Sequence, residues 1–98
     1  MVAVARALAA RPKVLLLDEP TEGLAPLVVQ QLAGSIAALP RDFGVSVLLA
    51  EQNLEFVLGL STRVYVLEMG RVVHQGPTGE LAADRGLQER FLSMSAGV

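Results

Sequence analysis

Two neighbouring carboxyl residues, Asp18 and Glu19, stand directly behind the apolar run Val14-Leu15-Leu16-Leu17 and ahead of Pro20-Thr21. Four apolar residues followed by two acids put both carboxyls at the C-terminal mouth of a strand, where open α/β sheets bind their ligands. Such a pair suits magnesium and an activated water. Four apolar residues followed by Asp-Glu should arise by chance in roughly 2% of chains this long, and adding Pro20 and Thr21 lowers the rate to about one in ten thousand. Chance is therefore a poor explanation of the run, beside which the bland reading of Glu19 alone is a solvated acid ending a strand. A second polar group, Gln52, follows the apolar run Val45 to Ala50. An amide donates and accepts hydrogen bonds but takes no charge near neutral pH, so Gln52 could orient a ligand but not shuttle a proton.

The elements that must position these groups read as an α/β layout. Val2 to Ala10 is rich in Ala and Leu and stops at Arg11-Pro12, which marks a helix. The unbroken run Val14 to Leu17 has the pattern of a parallel strand buried on both faces. Pro26 suits the first turn of a helix to about Leu39, with Leu32, Ile36 and Leu39 as its apolar stripe and Pro40 as its end. Val45 to Ala50 is a second strand, and strand-helix-strand order implies a parallel crossover. Asn53 can cap a helix over Leu54 to Leu60. Arg63 to Glu68 and Arg71 to Gln75 read as a hairpin around Met69-Gly70, with Gly70 at a positive φ. Gly76-Pro77 breaks the strand, Thr78 can cap a short helix, and Leu87 to Leu92 makes a last amphipathic stretch with Leu87, Phe91 and Leu92 facing the core. The tail from Ser93 should fray.

Composition narrows the function classes. At 98 residues the chain has room for one small core. It is 52% apolar and only 18% charged, an excess that suggests surfaces meant to be covered. No apolar run approaches the roughly 18 residues of a membrane span. The N-terminus lacks the pattern of a secretory signal, so a cytoplasmic setting is expected. The sequence has no cysteine, which leaves no thiolate metal site. A net charge of −2 with scattered basic residues and no tryptophan offers nucleic acid neither an electropositive footprint nor a stacking platform. His74, the single histidine, has no second ligand near it in sequence and reads as a surface or packing residue; Arg6 reads as making a structural contact beneath the sheet or facing water.

The run Ala3-Val4-Ala5-Arg6-Ala7-Leu8 through Asp18-Glu19-Pro20-Thr21 resembles the ATP-binding cassette (ABC) ATPases, in the segment that spans the helix after the signature motif and the Walker B strand. The resemblance extends over essentially the whole chain, including the Tyr65 to Val73 hairpin and the Gly76-Pro77-Thr78 turn. It implies a partial P-loop NTPase fold: the C-terminal part of a mostly parallel sheet with flanking helices and a terminal β-hairpin, residues 1–98 being the C-terminal portion of one nucleotide-binding domain. It further implies ATP and Mg²⁺ as cofactors, with Asp18 holding the magnesium through water, Glu19 as general base, and Gln52 in the switch region Ala50-Glu51-Gln52-Asn53. Glu22, Gly23, Leu24 and Ala25 would form the D-loop, which meets a second ABC ATPase subunit. Other implied partners are transmembrane permease subunits and, indirectly, a solute-binding protein, with the chain peripheral at the cytoplasmic face of the membrane. Within the superfamily, Thr21 to Pro26 and Glu51-Gln52-Asn53 resemble the branched-chain amino acid importers. The general pattern has Asp where Ala25 stands and His where Gln52 stands.

Gly-x-x-x-x-Gly-Lys-Ser/Thr, whose amides and lysine grip phosphates, occurs nowhere in the chain. The Q-loop and signature motif are likewise absent; the signature is expected to end shortly before Met1. The 98 residues alone are expected to be inactive. Two alternatives stand beside the branched-chain reading: the ATPase of a urea or amide importer, and a non-catalytic interaction module derived from an ABC ATPase.

Overall fold

The computed structural model describes residues 2–95. Where the sequence suggested one small core, the chain divides into two compact units, Met1–Glu51 and Gln52–Val98. The first contains helix α1 (Val2–Ala9), strand β1 (Val14–Asp18), helix α2 (Pro26–Phe43) and strand β2 (Ser46–Ala50). The α1 helix ends where the Arg11 N–H donates to the Leu8 carbonyl at 2.9 Å, with Arg11 at φ 53° and Pro12 behind it to prevent a further turn. Strands β1 and β2 pair in parallel, Val14 opposite Ser46 through Asp18 opposite Ala50.

Two expectations for this unit change. The β1 strand is covered on one face only: Leu15 and Leu17 are buried, whereas Val14 and Leu16 are 54% and 69% exposed. Leu48, directly opposite Leu16, is open as well, so this unit supplies a cover for one side of the pair and none for the other. Pro40 does not end α2, which runs to Phe43. Proline lacks the N–H that would reach Ile36, but its fixed φ is a helical value, so it interrupts the hydrogen bonding without turning the chain. Gly44 does the turning, in a left-handed conformation (φ 64°, ψ 25°) with its N–H donating to the Pro40 carbonyl at 3.0 Å. Ile36 and Leu39 are buried, as the stripe required, and Leu32 is half-buried.

The second unit holds helix α3 (Leu54–Leu60), strands β3 (Arg63–Glu68) and β4 (Arg71–Pro77), and helices α4 (Thr78–Ala83) and α5 (Arg85–Ser95). Asn53 caps α3, its Oδ1 accepting from the Phe56 N–H at 3.1 Å. The hairpin turns on Met69 and Gly70 at φ 51° and 76°, positive at both central residues as a two-residue hairpin loop demands. Val66 faces His74 and Leu67 faces Val72, which leaves Val73 as an extra residue in a bulge. Val64, Leu81 and Phe91 form the core, with Leu54, Val57, Leu58, Val66 and Leu87 against it. The half-buried His74 ring packs on Phe91 at 5.6 Å between centroids, one of the two roles, surface or packing, read from the sequence.

Four local expectations fail here. Gly76-Pro77 remains in the strand, paired with Val64 and Arg63, because a proline at a strand's last residue need not donate. Thr78 does not cap α4; it is buried, and its hydroxyl lies 2.9 Å from that of Ser61. Leu92 is 49% exposed rather than core-facing. The last helix also starts earlier than read, at Arg85, because Asp84 Oδ1 accepts from the Leu87 N–H at 2.9 Å. It is helical through Ser95, and residues 96–98 of the tail expected to fray lie outside the described residues. No helix among the described residues is long and apolar enough to cross a membrane.

Candidate functional site

Parallel pairing carries Asp18 to the C-terminal end of β1 opposite Ala50, with its side chain exposed. The next residue breaks the strand sharply. Glu19 is at φ 44°, a left-handed conformation that side chains with a Cβ avoid and that persists only where surroundings over-determine it. Three hydrogen bonds do so. The Glu19 N–H donates to the Ala50 carbonyl at 2.7 Å. Glu51 Oε2 then accepts twice from Thr21, at 3.2 Å from the backbone N–H and 2.8 Å from the hydroxyl. Behind them the Glu22 N–H reaches the Glu19 carbonyl at 3.1 Å and the Leu24 N–H the Thr21 carbonyl at 3.1 Å. The result is a compact turn that swings the Glu19 side chain out of the strand's alternation.

This turn gathers negative charge. The carboxyl of Glu19 holds its proton more tightly than an ordinary glutamate, chiefly because of the Glu22 charge, then through partial loss of hydration, a side-chain hydrogen bond with Glu22, and the charges of Asp18 and Glu51. A raised proton affinity moves a carboxylate toward the range in which a general base works well near neutrality. Crowded hard oxygens also suit a divalent cation. Among the described residues, no three acids or histidines converge to hold a metal by themselves. That arrangement is compatible with magnesium, which keeps several waters and binds through one or two carboxylates together with substrate phosphates.

The remaining site residues of the sequence analysis fall in two places. Glu22, Gly23, Leu24 and Ala25 form an exposed loop between the turn and α2, with Gly23 at φ 76° where a side chain would be strained. Ala25 occupies the N-cap of α2 without a side-chain cap. Gln52 begins the second unit; it is exposed and borders a shallow groove with Leu58, Gln88 and Leu92 of that unit. The pair that sequence reasoning missed is Thr21 with Glu51. Both residues were named within motifs, but a bond across 30 positions has no local signature, and only the register of β1 with β2 could have pointed to it.

No family model matches the chain. Among curated proteins it is 45% identical over 92 residues to the high-affinity branched-chain amino acid transport ATP-binding protein BraG of Pseudomonas aeruginosa, covering 94% of this chain and 39% of that protein. It is 41% identical over 83 residues to the methionine import ATP-binding protein MetN of Haemophilus influenzae, covering 85% of this chain and 24% of MetN. Its fold superposes on cbiO1 of Clostridium perfringens, described as part of the ABC transporter complex cbiONQ, with TM-score 0.79 and 32% identity over 91% of this chain and 36% of that one. Sequence and fold are those of the C-terminal part of an ABC transporter ATP-binding subunit. The parallel pair and the hairpin are therefore pieces of an ABC ATPase domain. The chain spans well under half the length of each of these ABC proteins.

Proposed function

We propose that these residues supply the hydrolytic end of an ATP-hydrolysing ABC importer subunit. The observation that carries this reading is the turn at the end of β1, where Asp18 and Glu19 are adjacent and Glu19 is held out of the strand at φ 44°. Asp18, the Walker B aspartate of this reading, would hold Mg²⁺ through water; the ion would neutralise charge developing on the transferred phosphoryl group. Glu19 would accept the proton of the attacking water, its proton affinity raised by Glu22 and the other acids around it. Gln52 would orient the phosphate or water through its amide. The exposed loop Glu22 to Ala25 would meet a second ATPase subunit, and permease subunits would receive the resulting motion, with the solute-binding protein engaged only indirectly. Such a subunit works peripherally at the cytoplasmic face of the membrane.

For the transported solute, 45% identity to BraG against 41% to MetN favours branched-chain amino acids, in agreement with Thr21 to Pro26 and Glu51-Gln52-Asn53. The test of the catalytic reading is Glu19→Gln in the full-length polypeptide that carries this chain. Nucleotide binding is expected to persist while hydrolysis falls at least about 100-fold, the usual scale of general-base assistance. Turnover at the unsubstituted rate would remove Glu19 from the mechanism, whereas a full-length polypeptide that hydrolyses no ATP even unsubstituted would favour the non-catalytic interaction module.

A further inference from the structure

Glu19 lies one residue beyond β1 in a conformation its own side chain disfavours, and Pro20 follows it. The Ala50 carbonyl fixes its N–H on one side. On the other, the chain leaves through Thr21, which is buried and hydrogen-bonded by both its N–H and its hydroxyl to one oxygen of Glu51. Hydrogen bonds in which the acceptor is ionised are shorter and stronger than neutral ones, and two donors on one rigid residue fix its direction as well as its distance. Glu51 immediately follows the strand that pairs with β1, so the clamp joins the ends of two adjacent strands.

We infer that Glu51 is a positioning residue: by clamping Thr21 it holds the turn that presents the Glu19 carboxyl. This rests on the reading of Glu19 as the base. The charge of Glu51 also adds to the raised proton affinity of Glu19, but the positioning acts through Thr21. Because both Thr21 donors end on a single oxygen, one carbonyl-type acceptor is enough, and an amide oxygen can replace the carboxylate. That feature separates a clamp from a purely electrostatic role, in which loss of the charge alone would be damaging.

The experiment compares Glu51→Ala, Glu51→Gln, Thr21→Val and Glu19→Gln in the full-length polypeptide, reading kcat, KM for ATP, and amide hydrogen exchange at Thr21. Glu51→Ala is expected to lower kcat on the order of 10- to 100-fold, the scale of a misplaced catalytic group, with KM changed by less than about twofold and faster exchange at Thr21. Glu51→Gln should recover most of both. Thr21→Val retains the N–H bond but removes the hydroxyl, so an intermediate loss is expected, and combining it with Glu51→Ala should add nothing further. Thr21→Val also serves if Glu51→Ala fails to fold. Unchanged kcat in Glu51→Ala, or equal losses in Ala and Gln, would overturn the clamp. If Glu19→Gln keeps full turnover, the base assignment fails separately, and Thr21 exchange in the Ala and Gln variants still decides whether the clamp exists.

Discussion

Gln52 makes the sharpest residue-scale demand on the chemistry, because it stands where the wider superfamily resemblance has a histidine. An uncharged amide can hold a phosphate oxygen or a water by donating and accepting, but it stores no proton. Gln52→Leu in the full-length polypeptide is therefore expected to lower ATP turnover, as measured by phosphate release, while Gln52→His should retain part of it. Turnover unchanged by leucine would end the orienting role. At this scale the acids were legible because residue type and spacing suffice: four apolar residues determine a strand, and whatever polar groups follow sit at its mouth. The left-handed backbone at Glu19 and the Thr21–Glu51 clamp were not legible. Both arise from strand register, which sets the Ala50 carbonyl against the Glu19 N–H at 2.7 Å and Glu51 within reach of Thr21.

Helix ends decide the element scale. The α2 helix begins at Pro26 behind the N-cap Ala25, which is extended at φ −67° and ψ 152° and makes no side-chain cap hydrogen bond to the first N–H groups. Those donors are normally satisfied by Ser, Thr, Asp or Asn, and replacing such a cap by alanine costs roughly 0.5–2 kcal/mol. Ala25→Ser should therefore raise the urea midpoint of the unit by the equivalent of about 0.5–1 kcal/mol with an unchanged m-value. Serine avoids adding a further charge beside Glu22; a midpoint that stays put or falls would show that the N-cap is already satisfied. Sequence reading succeeded where one residue controls an end, as at Asn53 and Met69-Gly70. It failed where a neighbour takes over: Gly44 supplied the turn expected of Pro40, the Ser61 hydroxyl engaged the Thr78 side chain that had been read as a cap, and Asp84 capped α5 so that the helix starts two residues earlier than expected.

At the scale of the whole molecule, the discrepancy at β1 carries the most information. Its uninterrupted apolar run is that of a strand covered on both faces, yet Leu16 and the opposing Leu48 are 69% and 59% exposed, and Leu27 and Val28 on α2 are open too. Pattern and burial disagree because the run of leucines suits a larger sheet than these residues build, consistent with a chain that spans 39% of BraG. The open face predicts opposite effects for the same substitution in two contexts. In the 98-residue chain alone, replacing both Leu16 and Leu48 with lysine should reduce self-association, read by sedimentation velocity, because it charges an exposed apolar patch. In the full-length polypeptide the same lysines would be buried without partners, at a cost of about 3–5 kcal/mol each in denaturant unfolding. A doubly substituted full-length protein as stable as its parent would mean that this face stays open there as well, and the apolar run would then need another explanation.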